Sequence, residues 1–261
     1  MTTKDKRGLT PGVTNAGNVR EVSEAGSSAR PAEASRASDV AAFVAEMQSM
    51  AAPVAGARGR LIFAIDATMS RQPTWDLALS LQADMFQAVK DVGGLDVQLV
   101  YFRGTSECRS SKWVSDPSEL ARLMTTVSCR GGLTQIGRVL AHANQEARQR
   151  RINALVFIGD AFEEEIDPIC QRAGELALGG VPAFLFQEGH DPAVSRAFQE
   201  VARITRGATC CFDRGSAAQL RDLLTAVAVY ASGGRKALLA LSARKDGGGA
   251  RLLLPHLAGR G

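Results

Sequence analysis

The chain has few lysines, few histidines and few aromatic residues, and it has no long apolar run. Six of its 31 basic residues are lysines, and none lies between Lys112 and Lys236. Aromatic residues make up 5% of the chain, and the basic side chains are scattered and rarely interleaved with them. The net charge of +4 therefore carries no nucleic-acid footprint. No stretch approaches the roughly 20 apolar residues needed to span a bilayer, so no membrane partner is expected. The N-terminus lacks the apolar core of a signal peptide, and the expected compartment is the cytoplasm. His142, on a predicted helix, His190, on a loop, and His256, near the end, have no ligand spacing between them, and none reads as a zinc site. Cys108, Cys129, Cys170, Cys210 and Cys211 are odd in number and lack a C-x-x-C pair, so they read as reduced, mostly buried thiols.

The length of 261 residues suits one large α/β domain or two small ones. Residues 1 to 38 are rich in Ser, Ala, Gly, Arg and Glu and have no aromatic residue. Such a segment cannot bury enough apolar surface to offset its ordering entropy, and a disordered tail is expected. Residues 39 to 57 read as a short helix with Val40, Phe43, Val44 and Met47 on one face, then a linker through Pro53 and Gly56. From residue 58 to 231, strand-like and helical segments alternate. The strands are Leu61 to Asp66, Asp96 to Phe102, Ser106 to Val114 as a polar edge, Ile152 to Ile158, Val181 to Phe186 and Ala208 to Phe212. Between them, helical stripes such as Ala78, Leu81, Met85 and Val139, Leu140, Ala143 recur at 3.6-residue spacing. This pattern predicts an α/β fold, a doubly wound and mostly parallel six-stranded sheet of order 3-2-1-4-5-6 with helices on both faces. Gly233-Gly234 is expected to open a C-terminal tail, residues 232 to 261, with leucines at 238, 239, 241 and 252 to 254.

The stretch Leu61-Ile-Phe-Ala-Ile-Asp66-Ala-Thr68-Met-Ser70 organises the rest. An apolar run without alternation suits a parallel strand buried on both faces, and its carboxylate then sits at the end where open α/β sheets bind ligands. A carboxylate followed by two alternating hydroxyls offers hard oxygen ligands, the chemistry of Mg²⁺ or Mn²⁺. Gly131-Gly-Leu-Thr134 opens a later helix, and Gly159-Asp160 ends the fourth strand, beside the first in the expected order. Together these stretches resemble the metal-ion-dependent adhesion site of von Willebrand factor A (VWA) domains, over about residues 58 to 231. Matched residue by residue, the site is Asp66, Thr68, Ser70, Thr134 and Asp160. Thr68 stands where the family pattern has Ser, and Ala161 where Gly commonly follows the last Asp.

The resemblance implies a Mg²⁺ or Mn²⁺ ion, a protein partner whose acidic side chain completes the coordination, and membership of a larger assembly. Arg71 and Arg130 fall on loops of the same face, within reach of pairing with that acidic ligand, but as exposed loop arginines they read first as solvated. Glu163-Glu164-Glu165 is accounted for as acids favoured by the dipole at the start of their own helix. Two alternatives stand beside this reading. One is a VWA fold with a degenerate metal site, acting as a structural subunit. The other is an enzyme: an Asp after the first strand with a later Thr and Gly-Asp resembles haloacid-dehalogenase-type phosphatases. That chemistry needs an acid two residues after the nucleophile, and position 68 is Thr. No catalytic role is expected.

Overall fold

The computed structural model describes residues 41–43, 45, 58–213 and 216–243. The expected disordered tail of residues 1 to 38, the linker through Pro53 and Gly56, and the leucines at 252 to 254 lie outside the described residues. In chain order the elements are β1 (Gly59–Asp66), a 3-10 turn (Met69–Arg71), α1 (Gln72–Val89), β2 (Leu95–Arg103), β3 (Glu107–Val114), α2 (Pro117–Thr125) and α3 (Ile136–Gln149). They continue with β4 (Ala154–Gly159), α4 (Ile166–Leu178), β5 (Ala183–Glu188), α5 (Pro192–Thr205), β6 (Ala208–Phe212) and α6 (Ala217–Ala243).

The six strands form one sheet in the order β3-β2-β1-β4-β5-β6. Every neighbouring pair is parallel except β2 with β3, which is antiparallel. The unalternating strands are buried on both sides because successive residues feed two different cores. Leu61, Phe63, Ile65, Val156, Ile158, Phe184 and Phe186 pack with α1 and α6 through residues such as Trp75, Met85, Leu220 and Leu224. Ile62, Ala64, Leu155, Phe157 and Leu185 pack with α3, α4 and α5 through Ile136, Leu140, Ile169 and Phe198. This is the expected architecture, and it sends the carboxyl ends of β1, β4 and β5 to one edge, side by side.

Two segments outside this frame add to it. Ala41, Ala42, Phe43 and Ala45 are helical. Phe43 is buried edge-on against Phe184 and Phe186, with ring centroids 6.0 and 5.4 Å apart, so the segment docks on its own domain. At the other end, α6 passes through Gly233-Gly234, where the sequence suggests a break, and continues to Ala243. Gly234 supplies the break as a kink, with φ 66° and ψ −165°, a conformation only glycine adopts cheaply. Beyond it Leu238 is fully buried in the core beside α1. No helix among the described residues is long and apolar enough to cross a membrane.

Candidate functional site

The site begins where β1 runs out of apolar residues. β1 and β4 pair in parallel with Ile65 opposite Ile158, so Asp66 and Asp160 leave neighbouring strands at the same edge. Asp66 is buried, and one carboxylate oxygen accepts the Thr68 N–H at 2.7 Å. This local bond folds the chain back at once and turns the Thr68 hydroxyl towards that of Ser70, 3.4 Å away. Asp66, Thr68 and Ser70 are thus brought into one oxygen cluster.

The second loop is tied to the first through backbone. Arg130 donates its N–H to the Ala67 carbonyl at 3.0 Å. Gly104 donates to Gly131 at 3.1 Å and receives from Leu133 at 3.0 Å. The two backbones approach so closely that a Cβ on Gly132 would lie 2.2 Å from the Gly104 nitrogen, so only glycine fits there. Thr134, buried four residues after Arg130, gives its N–H to the Glu163 carboxylate at 3.1 Å. Glu163 follows Asp160, so this bond joins the second loop to the third.

Glu163 and Glu164 serve a different helix from the one expected, while Glu165 stands at the N-cap of α4. Both oxygens of Glu164 receive the Gly137 N–H, at 3.1 and 3.2 Å. With Glu163 on Thr134, they satisfy orphan donors at the N-terminus of α3 rather than of α4. Burial, the largest effect on Glu164, raises its pKa above the ordinary carboxylate range. His142 is hydrogen-bonded to Gln98 at 2.8 Å, and burial lowers its pKa; it is a partnered, half-buried histidine.

Arg71 corrects a second expectation. It is 1% exposed, not a solvated loop residue, whereas Arg130 is exposed as expected. Its guanidinium ion-pairs with Glu188 at the end of β5 and stands 3.2 Å from Asp160 at the end of β4. Thr74 in the first turn of α1 donates its hydroxyl to the same Glu188 oxygen. Sequence reasoning missed Arg71, Thr74 and Glu188 as a unit. One signal was available: Gln187-Glu188 closes the apolar strand next to β4, so its acid arrives at the same edge as Asp160.

Burial pushes the Asp66 carboxyl up to about 6. The Thr68 N–H and hydroxyl pull it down, the charge of Asp160 adds to the rise and that of Arg71 opposes it. At neutral pH the site therefore holds a desolvated carboxylate with a second carboxylate near it, stabilised only in part by the cation below.

No protein-family model matches the chain, and no curated protein matches it. Solved structures do. A von Willebrand factor type A protein from Catenulispora acidiphila superimposes with a TM-score of 0.54 at 16% identity, over 67% of this chain and 43% of that one. The SpRpn10 VWA domain gives a TM-score of 0.50 at 13% identity, over 64% of this chain and 94% of that one. The pilus adhesin SpaC from Lactobacillus rhamnosus GG gives 0.53 at 10% identity, over 68% of this chain and 30% of that one. The chain has the VWA fold. It spans less than half the length of the Catenulispora protein and of the adhesin.

The resemblance read from the sequence implies a divalent ion at this edge, and the chemistry of the donors is compatible with one. The donors are oxygens throughout: the Asp66 carboxylate, its charge held at a cost, the Thr68–Ser70 hydroxyl pair, and Thr134 and Asp160 on the two loops tied to them. That set suits a hard cation. No group of three or more His, Cys, Asp or Glu side chains that would hold a metal occurs among the described residues, so an ion here depends on the hydroxyls. Asp160 differs from an unengaged ligand in one respect: it already faces Arg71.

Proposed function

We propose that the chain is a protein-binding VWA domain that captures an acidic side chain of a partner through Mg²⁺ or Mn²⁺. Asp66, Thr68 and Ser70, with Thr134 and Asp160, hold the ion, which when bound supplies an electrophilic open position for a carboxylate. The observation that carries this reading is the surroundings of the oxygen cluster. Met69, between the two hydroxyl residues, is 66% exposed, and Leu133, next to Thr134, is 51% exposed. Among the described residues the other exposed large hydrophobics are Leu178 and Leu239, away from this edge. A polar centre bordered by exposed apolar side chains has the make-up of an interface core, and a solvated loop gains nothing from it. One of the structural neighbours is described as a pilus adhesin, which agrees with binding to other proteins.

The test is a pull-down with immobilised protein in Mg²⁺, repeated in EDTA. Retained proteins are expected to be released by EDTA and lost with either Asp66→Asn or Met69→Asp. Retention unaffected by EDTA and by Asp66→Asn would overturn the reading in favour of a VWA fold that works without metal. One observation favours that second reading, namely that Asp160 already has a cation beside it.

We also read the chain as non-catalytic, because Thr68 cannot protonate a leaving group where a phosphatase built on Asp66 needs an acid. The purified protein is expected to show no turnover of an aryl phosphate with Mg²⁺. Turnover abolished by Asp66→Asn would make it an enzyme.

A further inference from the structure

We propose that Arg71 is an internal competitor of the divalent ion for Asp160, so that a buried guanidinium sets the affinity of the site. The proposal rests on the metal-binding reading above and adds to it the group that the ion must displace.

The two carboxylate contacts of Arg71 are unequal. Arg71 follows Ser70 directly, and the 3-10 turn Met69–Arg71 carries its side chain inward beneath the hydroxyls. One guanidinium nitrogen, Nη2, bonds Glu188, which is 2% exposed and takes a second hydrogen bond at the same oxygen from Thr74. The other, Nη1, lies 3.2 Å from Asp160, whose side chain is 22% exposed. Nη1 is buried and has no aligned hydrogen-bond acceptor, so the Asp160 contact is electrostatic and not a formed hydrogen bond. Glu188 is therefore the fixed anchor of Arg71, and Asp160 is its loose partner.

That inequality decides which carboxylate can move. If Asp160 turns towards an ion, no aligned hydrogen bond is lost, and its partial exposure means that little new desolvation is incurred. Glu188 has no such freedom. Asp160 thus has two cations to choose between, one built in and one from solution. Apparent affinity for the ion falls by the fraction of molecules in which Asp160 is free of Arg71, and falls again because a positive charge already sits beside the ion's place. In the metal-free site Asp160 already stands beside a cation, which offsets part of its repulsion with Asp66.

The test measures Mn²⁺ binding to the full chain from the electron paramagnetic resonance signal of free Mn²⁺, for wild type, Arg71→Met/Glu188→Gln, Arg71→Lys and Asp66→Asn. The double variant removes the buried cation and its anchor together, so net charge is unchanged and Asp160 loses its competitor. Its Mn²⁺ affinity is expected to rise about fivefold to tenfold. Arg71→Lys keeps the charge, but an ammonium cannot span both carboxylates as the fork does, and a rise of about twofold to threefold is expected. Unchanged or weaker binding in the double variant overturns the proposal; if that variant does not fold, unchanged or weaker binding in Arg71→Lys overturns it. Asp66→Asn separates this result from the reading beneath it. If Asp66→Asn abolishes binding while the Arg71 variants match wild type, the metal site stands and only the competitor is wrong. If Asp66→Asn binds as wild type does, or no variant binds at millimolar Mn²⁺, the metal reading fails and the proposal with it. Binding that appears only in the Arg71 variants and depends on Asp66 supports the proposal most directly.

Discussion

Replacing Arg71 with methionine is expected to lower the thermal midpoint of the metal-free protein by roughly 6–20 °C. Removing one partner of a buried ion pair costs about 3–5 kcal/mol, because the remaining charge stays buried without its counter-ion. For a domain of this size each kcal/mol moves the midpoint by about 2–4 °C. The charge left behind is that of Glu188, 2% exposed at the end of β5. Adding Glu188→Gln should recover most of the loss, since both buried charges then disappear together. Calorimetry in EDTA reads both variants. A shift below about 2 °C for the single variant would mean that the guanidinium is not what keeps Glu188 buried.

The second large effect runs in the opposite direction. Asp66→Asn is expected to raise the midpoint of the metal-free protein at pH 7.5 and to abolish its response to Mg²⁺. Burial, assisted by Asp160, pushes the Asp66 carboxyl from an ordinary 3.8 up to about 6. A carboxyl whose folded pKa lies above its unfolded value favours the folded state while protonated. That contribution is fully present below about pH 4 and is lost as the pH rises through about 6. Above that window the ionised side chain costs roughly 3 kcal/mol, about two pKa units at 1.4 kcal/mol each. Asparagine carries no charge and can still accept the Thr68 N–H, so up to about 10 °C of midpoint is recoverable at pH 7.5 and almost none near pH 4. Wild type recovers part of the same cost from the ion: Mg²⁺ at ten times its Kd adds about 1.4 kcal/mol, or roughly 3–6 °C. Asp160→Ala should not bring the same metal-free gain, because it also strips Arg71 of a carboxylate. An Asp66→Asn protein that melts below wild type at pH 7.5 in EDTA, and still responds to Mg²⁺, would refute this account.

Much of this molecule is legible from local pattern. The runs from Leu61 to Asp66, Ile152 to Ile158 and Val181 to Phe186 have no polar alternation. Only strands covered on both faces tolerate that, so parallel strands and two helical layers follow. The expected strand order then placed Asp66 and Asp160 on neighbouring strand ends, and the sheet has that order. The Asp66–Thr68–Ser70 cluster is equally local, since one hydrogen bond over two residues shapes it.

Partners distant in sequence were not legible. Arg71 lies in a three-residue turn, too short to carry a periodicity, and an arginine in a loop is ordinarily solvated. It is buried because Glu188, 117 residues away, arrives beneath it when β5 takes its place beside β4. Glu163 and Glu164 obey the helix-dipole rule, but packing of the third loop against α3 decided which helix they serve. Gly233-Gly234 reads as an end, yet α6 continues because the core offers Leu238 a place beyond the kink. Hydrophobic periodicity reports which face of an element is buried, and that is settled within a few residues. The destination of a charge depends on which opposite charge the fold brings within a few ångströms, and only the closed sheet determines that.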